Sequence, residues 1–279
     1  LFAQAGLADE SPATWDDLGA YGRKLTKADA DGVITQTGFA ITAATGSQVS
    51  WGQLFSFAYP LGGRFLSEDG RRVASNSEPV RKTLDFFQDL VTAGAGAVRS
   101  WPIVLMKEQR AAMTLASGPY WRTELMATSQ DIYNQMRSGP IPVPQAGMTP
   151  AHSAYGWLWA LTTNSPSKKE TYVFLTWLNT RPDDGQTRMG RVLAHLGSIP
   201  VTPTDLRGQQ ILQEPFMQGF VEVVANNRTF PEPVLPKGLD MMSILELETR
   251  HALAGRESSG NALTKAEQAI QAILSQVYR

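Results

Sequence analysis

Apolar residues recur along this chain at helical spacing in long segments, with short alternating stretches between them. Trp15, Leu18 and Leu25 follow Thr14, an N-cap residue with Asp17 at the capping-box position, and predict a helix over 14–27. Asp29-Ala-Asp-Gly32 reads as a turn into an extended segment over 33–41. An EF-hand reading fails there, because Lys27 and Gly38 stand where the first Asp and the closing Glu are needed. Residues 50–60 are aromatic-rich and predict a helix up to Pro60. Ser77 opens a strong helix with Val80, Leu84, Phe87 and Leu90 on one stripe. A short helix and a strand ending in Ala111-Ala-Met-Thr-Leu115 follow over 104–117, stopped by Gly118-Pro119. Pro140, Pro142 and Pro144 mark an extended connection, and 155–161 (Tyr-Gly-Trp-Leu-Trp-Ala-Leu) reads as a strand. Ser167 and Glu170 form a capping box for a helix carrying Val173, Phe174, Trp177 and Leu178. After the loop Gly197-Ser-Ile-Pro-Val201, helices are predicted near 211–225 and 239–254, separated by the proline-rich 230–236. A last helix carries Leu263, Ala266, Ile270, Ile273 and Val277. No internal repeat is visible, and helices interleaved with short strands argue an α/β architecture.

Composition narrows the function. The chain has 279 residues and 30.5 kDa, room for one large domain or two ordinary ones. With 25 Lys+Arg against 26 Asp+Glu, it has no field to capture nucleic acid or an anionic membrane. Hydrophobic residues make up 42% and charged residues 18%, so a large core can be filled. Apolar runs such as 101–106 are far short of the ~20 residues that span a bilayer. There is no cysteine, which removes disulfides, thiolate nucleophiles and cysteine-based metal sites. His152, His195 and His251 are too far apart in sequence to suggest a local metal motif, so neither metal nor cofactor is expected. The chain opens Leu-Phe-Ala-Gln without a leader, as a mature or truncated chain would.

Catalytic signatures are missing: no Gly-x-Ser-x-Gly elbow, phosphate loop, Gly-x-Gly-x-x-Gly or His-Glu-x-x-His occurs. Asp16-Asp17 suits the first turn of a helix, and Asp183-Asp184 lies in a loop; neither reads as an acid/base pair. Asn227-Arg-Thr229 matches the glycosylation sequon, a frequent chance match. What stands out is aromatic residues beside glycine: Trp51-Gly52, Gly118-Pro-Tyr-Trp121 and Gly156-Trp157. Glycine lets backbone approach a ligand, and an aromatic face stacks on a sugar ring. Each alone is more often core. Three together, with no catalytic set, favour a binding protein.

The ordered segments Leu1-Phe-Ala-Gln-Ala-Gly-Leu7, Pro12-Ala-Thr-Trp-Asp-Asp-Leu18, Asp31-Gly32, Gly38-Phe-Ala40, Gly62-Gly63, Ala111-Ala-Met113, Gly118-Pro-Tyr-Trp121, Ser165–Glu170, Gly197–Val201 and Gly255-Arg256 resemble the family 1 extracellular solute-binding proteins. These are the maltose-binding-protein-like receptors of ABC importers. The resemblance implies a type II periplasmic-binding-protein fold, two α/β lobes joined by a hinge with the ligand in the cleft. The Thr-Trp-Asp-Asp segment comes earlier here than in the family, so the resemblance implies a complete second lobe and a partial first one. Residues 1–155 and 210–279 are then expected to form the second lobe, and 156–209 a remnant of the first. It also implies no catalysis, a carbohydrate ligand, ABC permease subunits as partners and a bacterial periplasmic or cell-surface location. Membrane attachment is expected only through a possible lipid anchor on the missing portion.

Carried over by position, Trp51, Tyr120, Trp121, Gly156, Trp157 and Met242 are the expected ligand-binding residues. Met242 stands where the family's maltose-binding pattern has a stacking tryptophan, and Glu246 where it has an arginine. Trp51, Tyr120 and Trp157 are expected on one concave surface, with Trp15 and Trp177 in helix packing; Trp101, Trp121 and Trp159 stay open. Residues 156–209, short of sheet partners, are expected to expose 157–159 and the stripe of the 167–180 helix. The alternatives are a carbohydrate-active enzyme or lectin-like module, or a receptor for a non-sugar solute. An enzyme needs a carboxylate pair among Asp131, Asp240 and Glu246 that converges with Trp157.

Overall fold

The computed structural model describes residues 1–42, 48–115, 118–156, 159–182, 185–207 and 210–278. In chain order the elements begin with α1 (Trp15–Leu25), β1 (Lys27–Ala28), β2 (Ile34–Thr42), α2 (Gln48–Ala58), α3 (Glu78–Thr92) and β3 (Gly96–Arg99). There follow α4 (Pro102–Lys107), β4 (Ala111–Thr114), α5 (Trp121–Thr128), α6 (Gln130–Gln135), β5 (His152–Ala154) and α7 (Lys168–Asn179). The chain ends with α8 (Arg188–His195), α9 (Pro203–Arg207), α10 (Pro215–Ala225), β6 (Thr229–Pro231), α11 (Gly238–Leu253) and α12 (Ser259–Val277). They form two compact units: Leu1–Ala116 with Pro140–Ala154 and Arg228–Arg279, and Ser117–Gly139 with Tyr155–Asn227.

The first unit is built on β2. Parallel β3 and β4 flank it, Phe39 facing Gly96 on one edge and Met113 on the other, while β1 pairs antiparallel with its start. Strands with parallel neighbours on both sides are buried on both faces, and Thr37 through Thr42 are all buried. The Thr14–Asp17 capping box forms as its sequence predicts, fixing the start of α1. α1 then lies directly on the sheet: a Cβ at Gly38 would stand 2.0 Å from the Gly22 carbonyl oxygen. Only glycine permits that approach. The predicted stripe Val80, Leu84, Phe87 and Leu90 of α3 is buried, as are Met241 and Leu245 of α11 and Leu263, Ala266 and Ile270 of α12. Val143 exchanges backbone hydrogen bonds with Ala13 and Trp15, so the proline-rich 140–144 is extended as expected. Short β5 and β6 pair in parallel over three residues.

The second unit is helical, α5 to α10. Arg122 donates to both carboxylate oxygens of Glu214 at 2.7 and 2.6 Å, and the Tyr133 hydroxyl donates to the same carboxylate, tying α5, α6 and the start of α10 together. Asp205 accepts from the Thr187 backbone N–H and hydroxyl and from the Thr202 hydroxyl, and so binds the start of α8 to α9. Two sequence expectations differ here. Residues 155–156 and 159–161 are irregular, not a strand, because the β5–β6 pairing ends at Ala154 and Pro231 and no strand continues the ladder among the described residues. Ser167 occupies the N-cap of α7, but its side chain makes no capping bond.

Candidate functional site

The expected ligand-binding residues fall in two different settings. Trp51 is 3% exposed, packed among Phe55, Phe65 and Phe230, and Met242 is 4% exposed in the same core. Neither presents a face to a solute; a large apolar side chain on an inward helix face gains most by burial. Gly52 beside Trp51 serves packing, since a Cβ there would lie 2.5 Å from the Ser153 hydroxyl on β5. Trp121, also among the expected ligand-binding residues, is buried at the start of α5. Glu246 is buried in α11 while Asp240, on the same helix, is exposed, so these two carboxylates do not share an environment. Asp131 is exposed in the second unit. Trp157 and Asp183-Asp184 lie outside the described residues.

Tyr120 is different. It is 44% exposed on the turn that enters α5, and an added Cβ at Gly118 would sit 3.3 Å from its ring and 4.0 Å from the Tyr155 hydroxyl. Tyr155 is equally exposed, and Gly156 has open space where a side chain would be. Gly118 thus lies beside two exposed phenols, Tyr120 and Tyr155, with the exposed Gly156 next to Tyr155 in the chain. Such rings offer apolar faces together with hydroxyls that donate and accept. Tyr155 was read only as part of a strand; its place beside Gly118 is a tertiary fact with no local signal.

The turn is held from behind. Gly197, with φ +74°, brings its loop against the Pro119 carbonyl and the Arg122 side chain. Burial pulls the Glu214 carboxyl upward, but the hydrogen bonds from Arg122 and Tyr133 outweigh it and hold it below the usual range. Burial, and then the bond to Glu214, pushes the Tyr133 phenol well up, so it stays a donor. The Arg122 side chain is 12% exposed, which makes this ion pair an anchor and not a surface contact.

The remaining aromatics divide similarly. Trp15 stacks on Phe86 at 4.4 Å in the first unit, a packing role as expected. Trp177, expected in packing, is half exposed beneath the Arg188 guanidinium and beside Phe174. Tyr172, Val173 and Phe174 of α7 and Trp159 are exposed as well, which agrees with the apolar surface expected of 156–209. Trp101 is exposed at φ +56°. Among the described residues, no helix is long and apolar enough to cross a membrane.

An α/β chain with a buried aromatic core and exposed tyrosines is the setting in which the comparisons place a solute-binding protein. Residues 1–183 match the family of bacterial extracellular solute-binding proteins, and the chain belongs to it. That family binds solutes and carries out no chemistry on them. Among solved structures, the chain is similar to an ABC transporter solute-binding protein from Thermotoga lettingae TMO bound with α-D-tagatose: TM-score 0.81, 21% identity, covering 98% of this chain and 68% of that one. It is also similar to the GacH receptor of Streptomyces glaucescens, solved unliganded and with acarbose (TM-score 0.78, 16% identity, 98% and 66% coverage). A third is the cyclic α-maltosyl-1,6-maltose binding protein from Arthrobacter globiformis (TM-score 0.74, 22% identity, 99% and 68%). At these identities the likeness establishes the periplasmic-binding-protein fold, over about two-thirds of each relative's length. No curated protein sequence matches the chain.

Proposed function

We propose that this protein is the extracytoplasmic receptor of a bacterial ABC importer, capturing a sugar or oligosaccharide and delivering it to the permease. The observation that carries the reading is the two exposed tyrosines, Tyr120 and Tyr155, beside Gly118 in a chain of the solute-binding family. Sugars offer alternating C–H faces and hydroxyls, which phenol rings meet by stacking and hydrogen bonding. Relatives of the same fold are described bound to tagatose and acarbose, which supports the ligand class. Tyr120 and Gly156 remain proposed contacts, and Tyr155 joins them.

Calorimetric titration against mono- to tetrasaccharides tests the reading. Saturable sugar binding without turnover is expected, and Tyr120→Ala should weaken it about fivefold, near 1 kcal/mol for one aromatic contact. Binding of polyamines, phosphate esters or peptides, with silence toward every sugar, overturns it.

A further inference from the structure

We propose that Glu248, His251 and Glu257 form a site for a borderline divalent cation of the zinc type, lying wholly within the first unit. Glu248 and His251 are three apart near the end of α11, and Glu257 lies in the turn before α12. One ligand atom from each lies within 4.8 Å of the others. His251 Nδ1 is 3.6 Å from Glu248 Oε2 and 3.8 Å from Glu257 Oε1. Tetrahedral bonds of ~2.0–2.1 Å require donors ~3.3–3.4 Å apart, so His251 stands within a few tenths of an ångström of bonding distance to each carboxylate, at 3.6 and 3.8 Å, and an ion would draw the two carboxylates together from within 4.8 Å.

Burial separates this cluster from a loose surface grouping. The Glu257 side chain is 10% exposed and that of Glu248 17%. Glu248 Oε2 is itself buried and has no hydrogen-bond partner, an arrangement that ordinarily implies an ion or a water. Lys265 takes Glu257 Oε2 at 2.7 Å, so Oε1 faces His251 free of that bond. With neutral imidazole, two carboxylates against one ammonium leave a net negative pocket. The more open His251, 31% exposed, leaves a side for water as a fourth ligand. An imidazole nitrogen with two carboxylates selects a zinc-like ion over calcium or magnesium, which prefer all-oxygen shells. The ion would staple the end of α11 to the turn that starts α12. This departs from the expectation of no metal, which compared histidines only with one another and passed over Glu-x-x-His.

The chain has no cysteine and only three histidines, so competing ligands are few. The test is a Co²⁺ titration followed by its visible d–d absorption, then displacement by Zn²⁺. The wild type should show a saturable band of four-coordinate intensity, lost one-for-one with zinc, and a zinc-dependent rise in Tm. His251→Ala and Glu248→Gln, checked for fold by circular dichroism, should each weaken binding at least about tenfold and abolish the Tm shift. Zinc binding unchanged in His251→Ala, or no four-coordinate band in the wild type, overturns the site and leaves the three side chains as a plain ion pair. Sugar titrations on the same variants should be unchanged, which keeps this result separable from the sugar reading.

Discussion

Glu214→Gln removes one charge and almost no volume from the cluster behind the Tyr120 turn. In the native protein its carboxylate receives two hydrogen bonds from Arg122 and one from Tyr133. Charge-assisted bonds contribute roughly 1.5–3 kcal/mol each, so the Arg122 fork alone has a nominal value of about 3–6 kcal/mol. Water still reaches the pair, with the Glu214 side chain 29% and the Arg122 side chain 12% exposed. Screening trims the expected loss to about 2–3 kcal/mol, below the 3–5 typical of a fully buried pair broken on one side. Glutamine cannot accept the whole fork, because its amide nitrogen turns a donor toward a donor.

The assay is urea unfolding followed by circular dichroism and tryptophan emission, to which Trp121, adjoining Arg122, contributes. Acid adds a second readout. The folded-state pKa of Glu214 is lowered, so its contribution is present above the unfolded value of ~4.3 and lost as pH falls through the folded one. Glu214→Gln should remove that part of the acid slope. Since α5 starts directly after Tyr120, the variant should also weaken sugar binding. Unfolding free energies within about 0.5 kcal/mol of the wild type for both Glu214→Gln and Arg122→Ala would refute the reasoning, assigning the pair the value of an ordinary surface salt bridge.

Gly38→Ala drives a Cβ to 2.0 Å from the Gly22 carbonyl oxygen and should cost at least about 3 kcal/mol by thermal or urea unfolding, whereas Gly260→Ala, in open space on α12, should gain about 0.5–1 kcal/mol. Asp205→Ala strands the Thr187 N–H and two hydroxyls and should cost about 3 kcal/mol, with loss of α8 helicity. His152 Nε2 accepts from the Ile141 N–H and Nδ1 donates to the Arg228 carbonyl, so the ring is held neutral and burial lowers its pKa. Its contribution is present above the unfolded pKa of ~6.5 and lost as pH falls below it; the unfolding midpoint should drop between pH 7 and 5, less so in His152→Gln.

Where one segment holds all the information, the sequence was readable. Thr14 and Asp17 cap α1 with their own side chains, and the α3 stripe needs only its period. The extended reading of 33–41 matches β2 within a residue at each end. What failed depends on distant partners. The 155–161 segment has the apolar content of a strand, but a strand exists only where a neighbour completes its ladder, and here pairing stops at Ala154. Helices α5, α6, α8 and α9 are 5 to 8 residues long, too short for a period to declare itself. Their order comes from pairs distant in sequence, Glu214 with Arg122 of α5 and Asp205 of α9 with Thr187 at the start of α8.

The same division explains the candidate site. Gly-aromatic pairs occur at Trp51-Gly52 and at Gly118-Pro-Tyr120, and nothing local separates them. In the first, the glycine admits β5 against the helix and the ring faces inward among three phenylalanines. In the second, Tyr120 is the N-cap of α5 and is exposed, while Trp121, the first helical residue, is buried. Adjacent residues entering a helix differ by about 100° in direction, so one faces the core and the other solvent. The order Tyr-Trp thus places the phenol, with its polar end, on the wet side and the larger apolar ring inside. Exchanging the two residues would bury a phenol at Trp121's place, and that hydroxyl would need a hydrogen-bond partner there.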